Sequence, residues 1–142
     1  MESTTTLSAE LDERLAGVWR LLGRDGSGEL SRTAASVLAA LRDGGPQRIT
    51  ALAASEGVAQ PTMTNLVGRL ERRGLVVRGA DADDARAVRV AVTDQGRERL
   101  EARRAERVAR LEARLAALEP GEREALHAAL PALDKLIEGS AS

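Results

Sequence analysis

The chain has 142 residues, a net charge of −1 and no cysteine. That fits one domain with a modest core and excludes a disulfide framework, a thiolate sensor and a cysteine-based zinc site. His127 is the only histidine and Trp19 the only aromatic, which excludes zinc centres built on several imidazoles and leaves a core of Leu, Val and Ala, a composition of packed helices.

No run of about eighteen apolar residues is present, so no membrane span is expected. The opening stretch MESTTTLSAELDE is acidic and polar. It lacks the charged-then-apolar layout of a signal peptide, and a cytoplasmic protein is expected. Charge is uneven along the chain: residues 1–47 carry −2, residues 48–80 carry +3, residues 81–104 are neutral and residues 105–142 carry −2. The global balance hides a local basic footprint.

Leu7, Leu11, Leu15, Val18 and Leu22 recur at spacings of four and three, a stripe that predicts a first helix from about Ser8 to Leu22. GRDGSGE, from Gly23, breaks it. A second helix is expected from Ser31, a good N-cap, with Ala34, Val37, Leu38 and Leu41 inward and a stop at Asp43. The short helix ITALAASE follows, then a turn, then a helix from about Gln60 to Arg73 with Pro61 in its first turn and Gly74 as a left-handed cap.

LVVRGA and AVRVAVT are rich in β-branched residues and flank a polar loop, which predicts a hairpin. Thr93 is placed to N-cap a long helix to about Leu118, with Leu100, Val108, Leu111, Leu115 and Leu118 in a stripe interrupted by Arg104. EPGEREALHAAL starts a last helix with Leu126, Leu130, Leu133 and Ile137 expected inside. Pro131 is expected to kink or split it.

The tract from Ile49 to Leu70 has the internal logic of a helix-turn-helix. Two short helices crossing steeply need a small residue at the crossing, and Ala53 is placed there. The turn needs a left-handed residue, supplied by Gly57. Leu52, Val58, Met63 and Leu66 pin the pair to a core. The exposed face of the second helix reads Gln60, Thr62, Thr64, Asn65 and Arg69, side chains that bond base edges and phosphates. Pro61 and Arg72 complete the candidate DNA-binding set on this helix. The plainer alternative is a helical hairpin whose Arg69, Arg72 and Arg73 form a solvated face. Against it stands the polar face, which differs from the Glu/Arg mix elsewhere in the chain.

Over nearly its whole length the chain resembles the MarR family of bacterial winged-helix transcription regulators. The residues that carry the resemblance are ITALAASEGVAQPTMTNLVGRLERRGLVVR, DADDARAVRVAVT and TDQGRERLEARR. The resemblance implies a mostly α fold with a small β-hairpin wing, a winged helix-turn-helix joined to a helical dimerisation region. It places one domain over residues 1–142, with a DNA-binding lobe at 30–97 and dimerisation helices at 7–24 and 98–139. It further implies a homodimer on double-stranded DNA at a pseudo-palindromic operator, most simply a repressor, with no cofactor and no enzymatic activity. The family's wing pattern falls on Asp81, Asp84 and Arg86, with Arg86 entering the minor groove and Asp81 or Asp84 orienting it or capping the turn. Ala82, Ala85 and Ala59 depart from the family's frequent Pro, Arg and capping Ser, which implies a looser wing and a weaker helix start.

Asp81, Asp83 and Asp84 could be read as a metal site, but no further ligand lies nearby in sequence, and none is assigned. His127 has no motif-placed Ser or Asp companion for hydrolysis and is read as a surface or interface residue. Trp19 and Arg20 are candidates for a pocket holding a small anionic effector, since the family often binds one. The favoured alternative has Trp19 filling the core beside Leu15 and Leu22. The apolar stripes predict a two-fold dimer burying roughly 2,000 Å² or more. The alternative function is a protein–protein interaction module of the same helical shape that has lost DNA binding.

Overall fold

A computed structural model describes residues 3–22 and 30–139. The predicted break at GRDGSGE lies outside the described residues. In chain order the elements are α1 (Thr4–Leu22), α2 (Arg32–Gly44), β1 (Gln47–Arg48), α3 (Ile49–Glu56), α4 (Gln60–Arg72), β2 (Val76–Ala80), β3 (Val88–Val92), α5 (Asp94–Ala116) and α6 (Pro120–Glu138). They divide into two compact units, Met1–Ala105 and Glu106–Ser142.

The core of the first unit is aliphatic, as the lack of aromatics dictates. Val37, Leu38 and Leu41 of α2 meet Leu52 and Ala53 of α3, Met63, Val67 and Leu70 of α4, and Val90 of β3, all buried. Local chemistry fixes the ends of these helices. The Ser31 hydroxyl accepts the Ala34 N–H at 3.1 Å and caps α2. Gly57 takes φ 65° after α3, so that its N–H reaches the Ala54 carbonyl while the Val58 N–H reaches that of Ala53. The same paired closure ends α4 at Gly74, with the Gly74 and Leu75 N–H groups on the Glu71 and Leu70 carbonyls. This motif satisfies carbonyls that a helix end leaves open.

Ala59, by contrast, offers α4 no side-chain cap. Ala59→Ser should raise the unfolding free energy by about 1 kcal/mol, measurable by urea denaturation. No gain would mean that the first amides of α4 are already satisfied.

The sheet is three-stranded, in the order β1-β3-β2, and antiparallel throughout. The hairpin pairs Val76 with Val92 and Ala80 with Val88. The added strand β1, which the sequence did not announce, pairs Arg48 with Arg89. Thr93 joins wing to helix: its hydroxyl donates to the Gly74 carbonyl at 2.6 Å and accepts the Gly96 N–H at 3.1 Å. Gly96 is buried, and a Cβ there would meet the Leu75 carbonyl oxygen and lie 2.7 Å from Val92 Cγ2.

Several expectations about the helices need correction. α1 begins at Thr4 rather than Ser8, since no Gly or Pro precedes Ser8 to stop it. Its stripe is largely uncovered, with Leu7, Leu15 and Val18 exposed and only Leu22 buried. Trp19 does not fill the core. It is 51% exposed, and the Arg32 guanidinium lies 5.1 Å from its ring centroid, a cation–π contact.

α5 ends at Ala116, short of Leu118. Arg123 closes that end by donating to the Leu115 and Leu118 carbonyls, and a reciprocal Glu119–Glu122 capping box opens α6. α6 runs unbroken through Pro131. Proline removes only the bond to the His127 carbonyl, and an exposed helix tolerates that loss by hydrating it. Leu126, Leu130 and Ile137, expected inside, are exposed, Ile137 by 71%. Periodicity marks an apolar face without saying what covers it.

Candidate nucleic-acid interface

Met63, Leu66, Val67 and Leu70 anchor one side of α4 in the core. The helical period therefore turns Thr62, Thr64, Asn65, Arg69 and Arg72 outward, and all five are exposed, as are Gln60 and Pro61 in the first turn. The Thr64 hydroxyl donates back to the Gln60 carbonyl at 2.9 Å, which fixes its rotamer.

An open groove of about 610 Å³ runs along this face, lined by Thr62, Asn65, Arg69 and Arg72 of α4 and by Arg78 of β2. Arg78 was not a sequence candidate. Its partner, Glu71, sits on the preceding helix with Arg78 Nε 3.3 Å from Glu71 Oε2. Gln60 and Arg86 lie outside the residues lining this groove, at the start of α4 and in the wing loop.

In the wing the two aspartates do different work. Asp84 accepts the backbone N–H of Arg86 at 3.0 Å, and the Ala87 N–H reaches the Asp84 carbonyl. This is an Asx turn that shapes the tip and leaves the Arg86 guanidinium exposed. Asp81 is 4% exposed and touches Arg86 not at all among the described contacts. Its Oδ2 accepts Nε of Arg48 at 2.6 Å and Nε of Arg89 at 3.1 Å, while Oδ1 accepts the Asp83 N–H at 2.8 Å.

That Asp83 N–H, then the Arg48 guanidinium, with Arg89 adding to them, hold the Asp81 carboxyl well below the usual carboxylate range against the opposing effect of burial. A carboxyl depressed in the folded state stabilises the fold above its unfolded pKa of about 3.9. The contribution is lost as pH falls through the lower folded value.

Arg48 opens α3 and Arg89 sits in β3, so Asp81 ties the hairpin to the helix-turn-helix. Sequence reasoning missed Arg48 and Arg89, because their link to Asp81 spans up to 33 positions. Their only local signal is an Arg directly before the first helix of the motif.

With its oxygens engaged by two guanidinium groups, Asp81 is poorly placed to ligate a cation. Among the described residues no cluster of three His, Cys, Asp or Glu could hold a metal ion. No helix among them is long and apolar enough to cross a membrane. Trp19 and Arg20 sit near the end of α1, with Trp19 under Arg32 as described.

The sequence profile of the MarR family matches residues 30–88, the span from just before α2 to the first residue of β3. The HTH-type transcriptional regulator Mb0904 of Mycobacterium bovis is 32% identical over 99% of both chains. Among solved structures, the transcriptional regulator Tm0710 of Thermotoga maritima superposes with a TM-score of 0.80 at 26% identity, covering 96% of this chain and 97% of that one. A transcriptional regulator of Pseudomonas aeruginosa superposes with a TM-score of 0.79 at 32% identity, covering 94% and 95%. Core, turn glycines, wing and full-length similarity agree: the chain belongs to the MarR family of winged helix-turn-helix transcription regulators, DNA-binding proteins that are not enzymes.

Proposed function

We propose that the protein is a repressor that binds a pseudo-palindromic operator as a homodimer in the cytoplasm. In this reading α4 enters a major groove, Arg86 enters the neighbouring minor groove, and residues 30–97 form the DNA-binding lobe. Residues 7–24 and 98–139 dimerise, covering the apolar faces of α1, α5 and α6. A small effector that releases the DNA belongs to the same reading, with Trp19 and Arg20 as its candidate contacts.

The observation that carries the reading is the outward face of α4. It holds polar and cationic side chains only, on a helix whose other face is locked in the core. A rigidly held row of amide, hydroxyl and guanidinium groups suits base edges and phosphates.

Two substitutions divide the labour. Arg86→Ala should weaken binding to every DNA and flatten the salt dependence by about one unit of slope, since it reads charge and groove shape. Asn65→Ala should cost about 1–3 kcal/mol on the operator and little on random DNA, with the slope nearly unchanged, because Asn pairs bidentately with adenine. Binding titrations on both DNAs at several salt concentrations measure this. If Asn65→Ala weakens both DNAs equally, Asn65 reads no base, and Thr62 or Arg69 takes its place.

A further inference from the structure

Arg78 lies on β2, opposite Val90 in the ladder, and lines the groove shared with Asn65, Arg69 and Arg72 of α4. Three guanidinium groups and no carboxylate line that groove. Glu71, one residue before Arg72, holds Arg78 at 3.3 Å, and both side chains are about two-fifths exposed (36% and 42%). A cleft of cations between a helix and a strand fits a single polyanionic ridge better than a flat surface. If α4 occupies a major groove and the wing the adjacent minor groove, the sugar-phosphate backbone dividing those grooves must pass between α4 and β2.

We infer that Arg78 contacts this backbone phosphate and that Glu71 acts as a guard that holds it in the free protein. The inference rests on the DNA-binding reading above. An exposed carboxylate pair of this kind is weak. A guanidinium–phosphate contact is charge-assisted and bidentate, so Arg78 exchanges one anion for the other. Glu71, then left beside a phosphate without its partner, opposes binding. The pair thus limits affinity for DNA of any sequence while leaving base reading to Asn65.

The test is a double-substitution cycle on full-length protein, titrated against random duplex DNA and a selected operator over a range of salt. Arg78→Ala should weaken both DNAs and lower the salt slope by about one unit, and Arg78→Lys should restore most of the slope. Glu71→Gln should tighten both DNAs by about two- to fivefold, with a much smaller gain in the Arg78→Ala background. Equal gains in the two backgrounds would overturn the guard, and an unchanged slope in Arg78→Ala would overturn the phosphate contact. A parent protein that binds no duplex DNA would remove the DNA-binding reading and this inference together, whereas silent substitutions in a DNA-binding parent remove this inference alone.

Discussion

Replacing Gly96 by alanine should destabilise the protein, although Gly→Ala inside a helix ordinarily adds stability. The usual gain is about 1 kcal/mol of helix propensity. Here the new methyl would drive into the Leu75 carbonyl oxygen and lie 2.7 Å from Val92 Cγ2. A side chain could turn aside, but the Leu75 carbonyl also accepts the Thr93 N–H at 3.1 Å. Relief therefore means parting α5 from the wing.

Overpacking of a close core contact costs about 1–3 kcal/mol and sometimes more. A backbone obstacle belongs at the upper end, so a net loss near 2 kcal/mol is expected, read as a Tm lower by roughly 5–10 °C. Gly121→Ala, with open space around its Cβ position, serves as the control and should not lower Tm. A Gly96→Ala protein as stable as its parent would show that α5 is not held against Leu75 in this way.

The second large effect concerns the uncovered helix faces. Leu126→Glu combined with Leu130→Glu should give a monomer at micromolar concentration by sedimentation, with operator affinity lower by about a hundredfold or more. Two-fold symmetry makes each change count twice, so four leucines lose burial worth about 1.5–3 kcal/mol each. That is enough to take a nanomolar dimer, at about −12 kcal/mol, past the micromolar range. The lobe should stay folded, because its buried residues run from Ala34 to Leu100 and include none from α6. Far-UV circular dichroism would then show little change. A double variant that remains dimeric would assign those leucines to some other use.

The sequence was most informative where function and local chemistry coincide. Ser31, Gly57, Gly74 and Thr93 each have one residue type suited to a cap or a positive φ, so their roles showed before any contact was known. The inward face of α4 was legible for the same reason, since Met63, Leu66 and Leu70 keep a helical period.

What stayed hidden depends on distance along the chain. β1 has two residues, too few to show an alternation. Asp81 looked like a partner for nearby Arg86, yet the fold gives it Arg48 and Arg89. Arg78 read as one more strand residue until β2 was placed against α4. Trp19 read as core because an aromatic at helical spacing usually is, and Arg32 supplied a surface alternative.

The central claim is that α4 and the wing read DNA symmetrically from two subunits. Hydroxyl-radical footprinting of the wild-type protein on an operator selected from a random pool tests it most directly. The account predicts two protected patches on one face of the duplex, related by a two-fold axis and centred about one helical turn or a multiple of it apart. One unsymmetrical patch, or protection spread evenly over any duplex, would contradict it.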